Sequence, residues 1–312
     1  FDSIYTPPVP YDAGLPIGAA QYIYHNELGN DRIKWSDNSP TYLGETYDEK
    51  TVRFELDKVS EKVSIQQVND DDVVNLLDEQ NIISVYGGGS ESGRRALGNR
   101  SILADPRSTE MKDKINERVK HRQWYRPFAP SILREEVNSW FDREVDSPYM
   151  SFCLKFKEDM KDKVPAVLHF DGTARLQTVS KNDNKWYHGF ISKWFKKSGV
   201  PIVLNTSFND REPIVETPEH AINCFMGTNI DYLYFFNVSI GNEFYISIWN
   251  YPSLYDGYFI NWAEWGDDLP DLELDLIFLS IEKMLSNPKY SVDVIRKKYP
   301  NAKIVGLIKE LW

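Results

Sequence analysis

The sequence predicts an α/β protein, and three observations carry that prediction. From about residue 70 to 240, strand-length apolar runs rich in β-branched residues alternate with segments of helical periodicity. No apolar run approaches the roughly 18 to 20 residues that a membrane-spanning helix needs. The 312 residues are 41% hydrophobic and 14% aromatic, with Gly and Pro at 17 each, which is the composition of a globular chain with a sizeable core and excludes a collagenous or low-complexity one.

Residues 7 to 20 read as a loop punctuated by Pro and Gly that opens a small-residue helix. The next fifty residues are polar and weakly patterned. From Asp70 an acidic first turn precedes Val73, Val74, Leu76 and Leu77 at helical spacing, and the run Ile82, Ile83, Val85 then ends at Gly87: helix, strand, glycine loop. Ser108, with Glu110 behind it, caps a helix reaching Val119, and Pro127 imposes extended backbone around Phe128 to Leu133. Trp186, Phe190, Ile191 and Trp194 share one helical face, Gly199 stops that helix, and residues 201 to 204 form a short buried strand. Thr217 followed by Pro218 starts a helix through Phe225, before a strand at Tyr232 to Phe236. Further on come an aromatic run, an acidic break, the run 272 to 281, a helix at Asp293 to Tyr299 and a strand-like run at the end.

Charge is spread unevenly. Lys plus Arg number 36 against 47 acids, a net charge of -11, yet Arg94 to Arg126 holds ten bases and four acids, whereas Glu264 to Asp275 holds six acids and no base. A cationic site in an acidic chain suggests a small anionic ligand rather than a nucleic acid. Cys153 and Cys224 offer neither a disulfide framework nor a metal signature and are expected to be buried thiols in a reducing, cytoplasmic setting. Phe1 opens the sequence with no basic and apolar leader, so the chain is expected to be a piece of a longer protein.

Four clusters carry chemistry. After the strand ending at Gly87, three glycines precede Arg94, Arg95, Arg100 and Arg107; glycines let backbone N–H groups approach phosphate, and guanidinium forks bind it in pairs. The spacing fits neither a Walker A loop nor a dinucleotide fingerprint, and a glycine turn with solvated arginines explains it alone. Lys120, His121, Arg122 and Arg126 cluster next, with Arg126 among Trp124, Tyr125 and Phe128, where a buried charge would demand an anion. Arg175 lies on a strand whose alternation puts it on one face with Gln177 and Val179. Asn205, Thr206, Ser207 and Asn209 follow the strand ending at Leu204, as ligand groups do in α/β sheets and as ordinary polar turns also do.

Taken in order, ALGNRSILADPR, RPFAP, DGTARLQTV, LNTSFN and EPIVETPEHA closely resemble the YrdC-like C-terminal domain of the O-carbamoyltransferases that modify nodulation factors and antibiotics, over roughly residues 84 to 240. PYDAGLPIGAA resembles the last motif of that family's other domain, an ASKHA-type transfer domain. The resemblance implies a twisted mixed sheet flanked by helices at 70–240 and the end of a transfer domain and a linker at 1–69; residues 241–312 fall outside it and read as an extension, either a family-specific appendage or, the favoured expectation, the start of a further α/β domain. It also implies a two-step reaction, in which carbamoyl phosphate and ATP form carbamoyl adenylate and the transfer domain passes the carbamoyl group to a hydroxylated small molecule.

Carried over by motif, Lys120, Arg126, Arg175 and Ser207 take the carbamoyl phosphate site, with Asn205 beside it, Arg95 towards ATP and Arg100 among the substrate-binding residues. Asp12 matches an aspartate that helps bind a divalent metal, iron or magnesium, in the complete protein; one ligand cannot hold it. The chain departs from the family at Gly89, where an arginine is usual, and at Arg94, where a proline is usual, which leaves Arg94 to supply the missing charge. The rival expectation is an RNA-binding or non-catalytic module of the same fold, tracking a phosphate backbone along Arg94 to Arg126; the acidic net charge disfavours it. No membrane partner is expected.

Overall fold

A computed structural model describes residues 6–32 and 41–236 with their side chains, and the backbone of strands at 244–248, 276–280 and 303–307. It divides into two units, 1–248 and 249–312. Helix α1 (Leu15–Tyr22) follows a short 3-10 turn, Asp12–Gly14, and continues into a π-helical turn, Ile23–Glu27. Helix α2 (Glu49–Asp57) is capped by Asp48, whose side chain accepts from Thr51 N–H at 2.8 Å. Strand β1 (Val63–Gln67) leads to α3 (Asp70–Asp78), which the Asn69 side chain caps together with Asp72. Then come β2 (Ile83–Gly87), β3 (Arg100–Ala104), α4 (Glu110–Arg118), β4 (Ala129–Leu133) and the single turn α5 (Val137–Trp140). The chain continues through β5 (Phe152–Lys155), β6 (Thr173–Val179), α6 (Lys185–Ser198), β7 (Ile202–Ser207), α7 (Pro218–Met226), β8 (Tyr232–Phe236) and β9 (Phe244–Ile248).

These strands form one nine-stranded mixed sheet, in the order β1-β9-β8-β2-β3-β7-β4-β6-β5. The pairs β2–β8 and β4–β6 are parallel and the others antiparallel. Alternation within the central strands sends Ile102, Ile202, Leu204, Leu233 and Phe235 to one core and Leu103, Val203, Tyr234 and Phe236 to the other. Helices α2, α4 and α7 bury their apolar residues in the first core, α3 and α6 in the second. A sheet covered on both faces needs strands that are apolar on both faces, which is why the sequence shows strand-length runs rather than alternation. In the second unit, β10 (Leu276–Ser280) and β11 (Lys303–Leu307) pair in parallel.

The alternating α/β pattern stands as expected, with local differences. Strand β7 runs on through Asn205, Thr206 and Ser207, so these residues are strand and not turn. Thr109, not Ser108, occupies the cap position of α4; Ser108 Oγ still accepts from Glu110 N–H at 3.3 Å. Cys153 is exposed on edge strand β5, where a buried thiol was expected, while Cys224 is buried and its thiol is pushed up to about 12 by burial. Strands β1 and β9 extend the sheet past residues 70 and 240. The helix expected at 293–299 and the acidic run at 264–275 lie outside the described residues.

Candidate functional site

The predicted ligand groups collect at one end of the sheet, where β2 and β7 end and β3, β4 and β6 begin. Register places Ser207 opposite Ser101, Asn205 opposite both Leu103 and Ala129, and Arg175 opposite Cys153.

Lys120 reaches this end from the turn after α4. His121 takes the left-handed region, φ +45°, which reverses the chain so that Lys120 points to β7 while Arg122 N–H returns to Asn116 O at 3.1 Å. Lys120 Nζ donates to Ser207 O at 2.5 Å, Asn209 O at 2.6 Å and Asn209 Oδ1 at 2.8 Å, with Ser207 Oγ at 3.4 Å. Ser207 Oγ itself donates to Asn209 Oδ1 at 2.7 Å. The side chain is 5% exposed, and these neutral oxygens bring no countercharge. Burial, aided by Arg122, therefore pulls the ammonium down to about 7. Beside it, His121 Nδ1 lies 3.2 Å from Asp210 Oδ1, so two adjacent pairs tie the α4 turn to the segment after β7.

Three guanidiniums face the same end. Burial lowers Arg95, and Arg175 and Arg94 lower it further by like-charge repulsion; burial also lowers Arg175, and Arg94 adds to that lowering. Arg94 lies over the Tyr11 ring at 5.1 Å. Among the described residues no carboxylate forms an ion pair with Arg94, Arg95 or Arg175, and Arg175 Nε is buried without a hydrogen-bond partner. Like charges converge here and nothing in the described chain neutralises them.

Comparison with known proteins decides the family. A family model described as "Carbamoyltransferase C-terminus" matches residues 74–241, more than half of the chain. The chain belongs to this carbamoyltransferase C-terminal family. It is 40% identical over 241 residues to an uncharacterized protein of Methanocaldococcus jannaschii, covering 75% of this chain and 39% of that one. It is also 40% identical, over 237 residues each, to nodulation proteins NolNO of Sinorhizobium fredii and NolO of Bradyrhizobium diazoefficiens, covering 74% of this chain and 35% and 43% of theirs. The chain thus spans about two fifths of the length of the curated relatives it matches. Among solved structures, full-length HypF in the phosphate- and nucleotide-bound form aligns over 78% of this chain and 38% of that one, at TM-score 0.36 and 14% identity.

Within this carbamoyltransferase C-terminal domain, six of the carried-over residues fall into three groups. Lys120 and Ser207 are in contact, and Arg95 and Arg175 stand with Arg94 in the unneutralised cluster. Two others are turned inward. Arg100 is fully buried, with Nη1 donating to Gly87 O at 2.8 Å and Asn99 O at 3.0 Å, and Nη2 to Gly88 O at 3.1 Å, so it holds the glycine loop's carbonyls. Asn205, 1% exposed, places Nδ2 at 3.1 Å from Ala96 O and 3.0 Å from both Ser131 Oγ and Gln177 Oε1, fastening the arginine loop to β4 and β6.

Arg126 corrects an expectation. It is exposed, as are Trp124 at 72% and Tyr125, so the burial argument for an anionic partner fails at this position. The aromatics point outward because Asn116 Nδ2 draws the carbonyls of Trp124 and Arg126 inward, at 3.4 and 3.2 Å. The glycine loop also differs from expectation. A Cβ on Gly89 would lie 2.6 Å from Tyr42 O and 2.7 Å from Gly44 O, so a segment of the polar N-terminal region covers this position and leaves no room for the family's usual arginine.

Asp12 is exposed, and among the described residues no three His, Cys, Asp or Glu side chains gather to hold a metal ion. No helix of the described residues is long and apolar enough to cross a membrane. Sequence reasoning named Asn209 only as one of several polar groups and passed over Glu91. Asn209 was legible as a donor in LNTSFN without its role on Lys120; Glu91 left no local signal beyond its place in the loop.

Proposed function

We propose that this domain binds carbamoyl phosphate and ATP together and forms carbamoyl adenylate, for O-carbamoylation of a hydroxylated small molecule by a longer protein. One observation carries the reading: Arg94, Arg95 and Arg175 converge without a carboxylate, at the same end of the sheet as a lysine already fixed in place. Two polyanions repel, and fixed cations are what lets them meet. In the balanced reaction, water cleaves carbamoyl phosphate to carbamate and inorganic phosphate. A carbamate oxygen then attacks the α-phosphorus of ATP and pyrophosphate leaves.

Lys120 and Ser207 would hold the phosphate of the donor, Arg175 would bridge the two anions, and Arg94 and Arg95 would take the nucleotide phosphates. Such displacements gain mainly from positioning and charge stabilisation, so no protein nucleophile is required. Asp12 would give one ligand to a metal in the complete protein, with the other ligands coming from outside this chain. Pyrophosphate release from ATP, followed with and without carbamoyl phosphate, tests the reading. Release that requires carbamoyl phosphate supports it; binding of neither ligand at millimolar concentration refutes it.

A further inference from the structure

Residues 88–99, between β2 and β3, form neither helix nor strand, yet Ala96, Leu97, Gly98, Asn99 and Arg100 are all buried. Their backbone polar groups must therefore find partners inside the protein. Glu91 supplies most of the acceptors. Its Oε1 accepts from the main-chain N–H of Leu97 at 2.7 Å, of Asn99 at 2.9 Å and of Arg100 at 3.3 Å. The first of these bonds closes a ring from Glu91 to Leu97, and Arg94 and Arg95 sit on its outer turn.

The carbonyls of the same stretch are held from other elements. Gln177 Nε2 donates to Leu97 O at 2.9 Å, the Tyr42 hydroxyl to the same oxygen at 3.2 Å, and Asn205 Nδ2 lies 3.1 Å from Ala96 O. Gly98 N–H donates to Ser101 Oγ at 3.0 Å. Gly98 has φ +119°, and a Cβ there would lie 2.5 Å from the Tyr187 ring, so the chain is pressed against a side chain of α6 at this turn. Glu91 Oε2 is also buried and has no partner among the described residues. The carboxylate is thus committed to the backbone of its own loop.

Arg94 and Arg95 repel each other and Arg175, so a free loop would let them move apart. We propose that Glu91 is a positioning residue of the anion site: by closing the loop from inside, it fixes where Arg94 and Arg95 present their guanidiniums. The identity of the anion rests on the proposed function; the ring does not. Pre-set donors lose nothing to reorganisation when an anion arrives, so loosening the ring should weaken anion binding at a residue that never touches the anion.

The test contrasts two variants of the full chain. Glu91→Gln keeps an oxygen at the same reach and removes the charge, whereas Glu91→Asp keeps the charge and withdraws the oxygen by one methylene. Pyrophosphate binding is measured by calorimetry below the melting temperature, and amide exchange is followed at Leu97 and Asn99. Glu91→Asp should bind pyrophosphate about tenfold more weakly, a loss of about 1.4 kcal/mol, and exchange both amides faster, while Glu91→Gln stays within about threefold of wild type. Equal affinity in wild type and Glu91→Asp overturns the proposal, as does a Gln variant as weak as the Asp one, because charge rather than reach would then matter. If wild type binds no pyrophosphate, the proposed function fails, and unchanged or faster exchange in Glu91→Asp still decides whether the ring sets the loop.

Discussion

Lys120 and Arg175 are cations at the same end of one sheet, and they live in opposite circumstances. Lys120 is enclosed by oxygens of Ser207 and Asn209, so its hydrogen-bond demand is met by the protein while its charge is not. Arg175 has a buried Nε without a partner and faces Arg94 and Arg95, so neither demand is met. The lysine is a fixture of the fold, and removing it takes a donor from the carbonyls of Ser207 and Asn209. The arginines are completed only by something that arrives. Anion binding should therefore relieve repulsion at the arginines and restore the lysine's charge.

The widest contrast is with the core. Trp194 is fully buried in α6 and donates from Nε1 to Ile202 O at 2.8 Å. Trp194→Ala should cost about 3 to 5 kcal/mol of stability by denaturant unfolding and leave the pyrophosphate affinity of the folded fraction unchanged. Arg175→Ala should do the converse. Its melting temperature should stay near wild type, while affinity falls by about 1.5 to 3 kcal/mol, roughly ten- to a hundredfold. Arg175→Lys should restore little, since an ammonium cannot reproduce a planar fork. Arg175 variants that melt far below wild type yet bind normally would erase the distinction between fixture and waiting cation.

A smaller effect tests the other pole. The folded Lys120 sits at about 7 and its ordinary value is 10.5, so between those values the unfolded chain holds the extra proton. Stability should therefore rise with pH through that window. Anion affinity runs the other way, falling as pH climbs through about 7 and the ammonium is lost. Lys120→Met should flatten both dependences, which paired melts and titrations at stepped pH will read. The smallest effect is at Arg126. Being exposed, it is screened by salt, so Arg126→Ala should weaken binding a few-fold at low ionic strength and hardly at all at high.

What the sequence disclosed was local. The acidic first turn from Asp70, the stop at Gly199 and the start at Thr217 and Pro218 each lie within a few residues of the element they bound, so α3, α6 and α7 were legible. Arg175 was legible too, because period-two alternation places it. The rest depends on contacts far along the chain. Arg100 and Arg95 are five residues apart and alike in type, yet one is swallowed by the carbonyls of Gly87 and Gly88 and the other is not, which only the β2–β3 pairing decides. Arg126 read as buried from its aromatic neighbours, whereas Asn116 turns that segment's carbonyls inward and its rings outward. The reason Gly89 cannot carry a side chain lies at Tyr42 and Gly44, in the stretch whose sequence said least.

The most direct test of the account is a thermal melt of wild type and Arg175→Ala with pyrophosphate or carbamoyl phosphate, at low and high salt. A ligand that binds the folded state raises its melting temperature by mass action. The account predicts that both anions raise the melting temperature of wild type, with only mild loss at high salt, and that the rise nearly vanishes in Arg175→Ala. No rise in wild type, or an equal rise in the variant, would contradict the claim that the arginine cluster is an anion site.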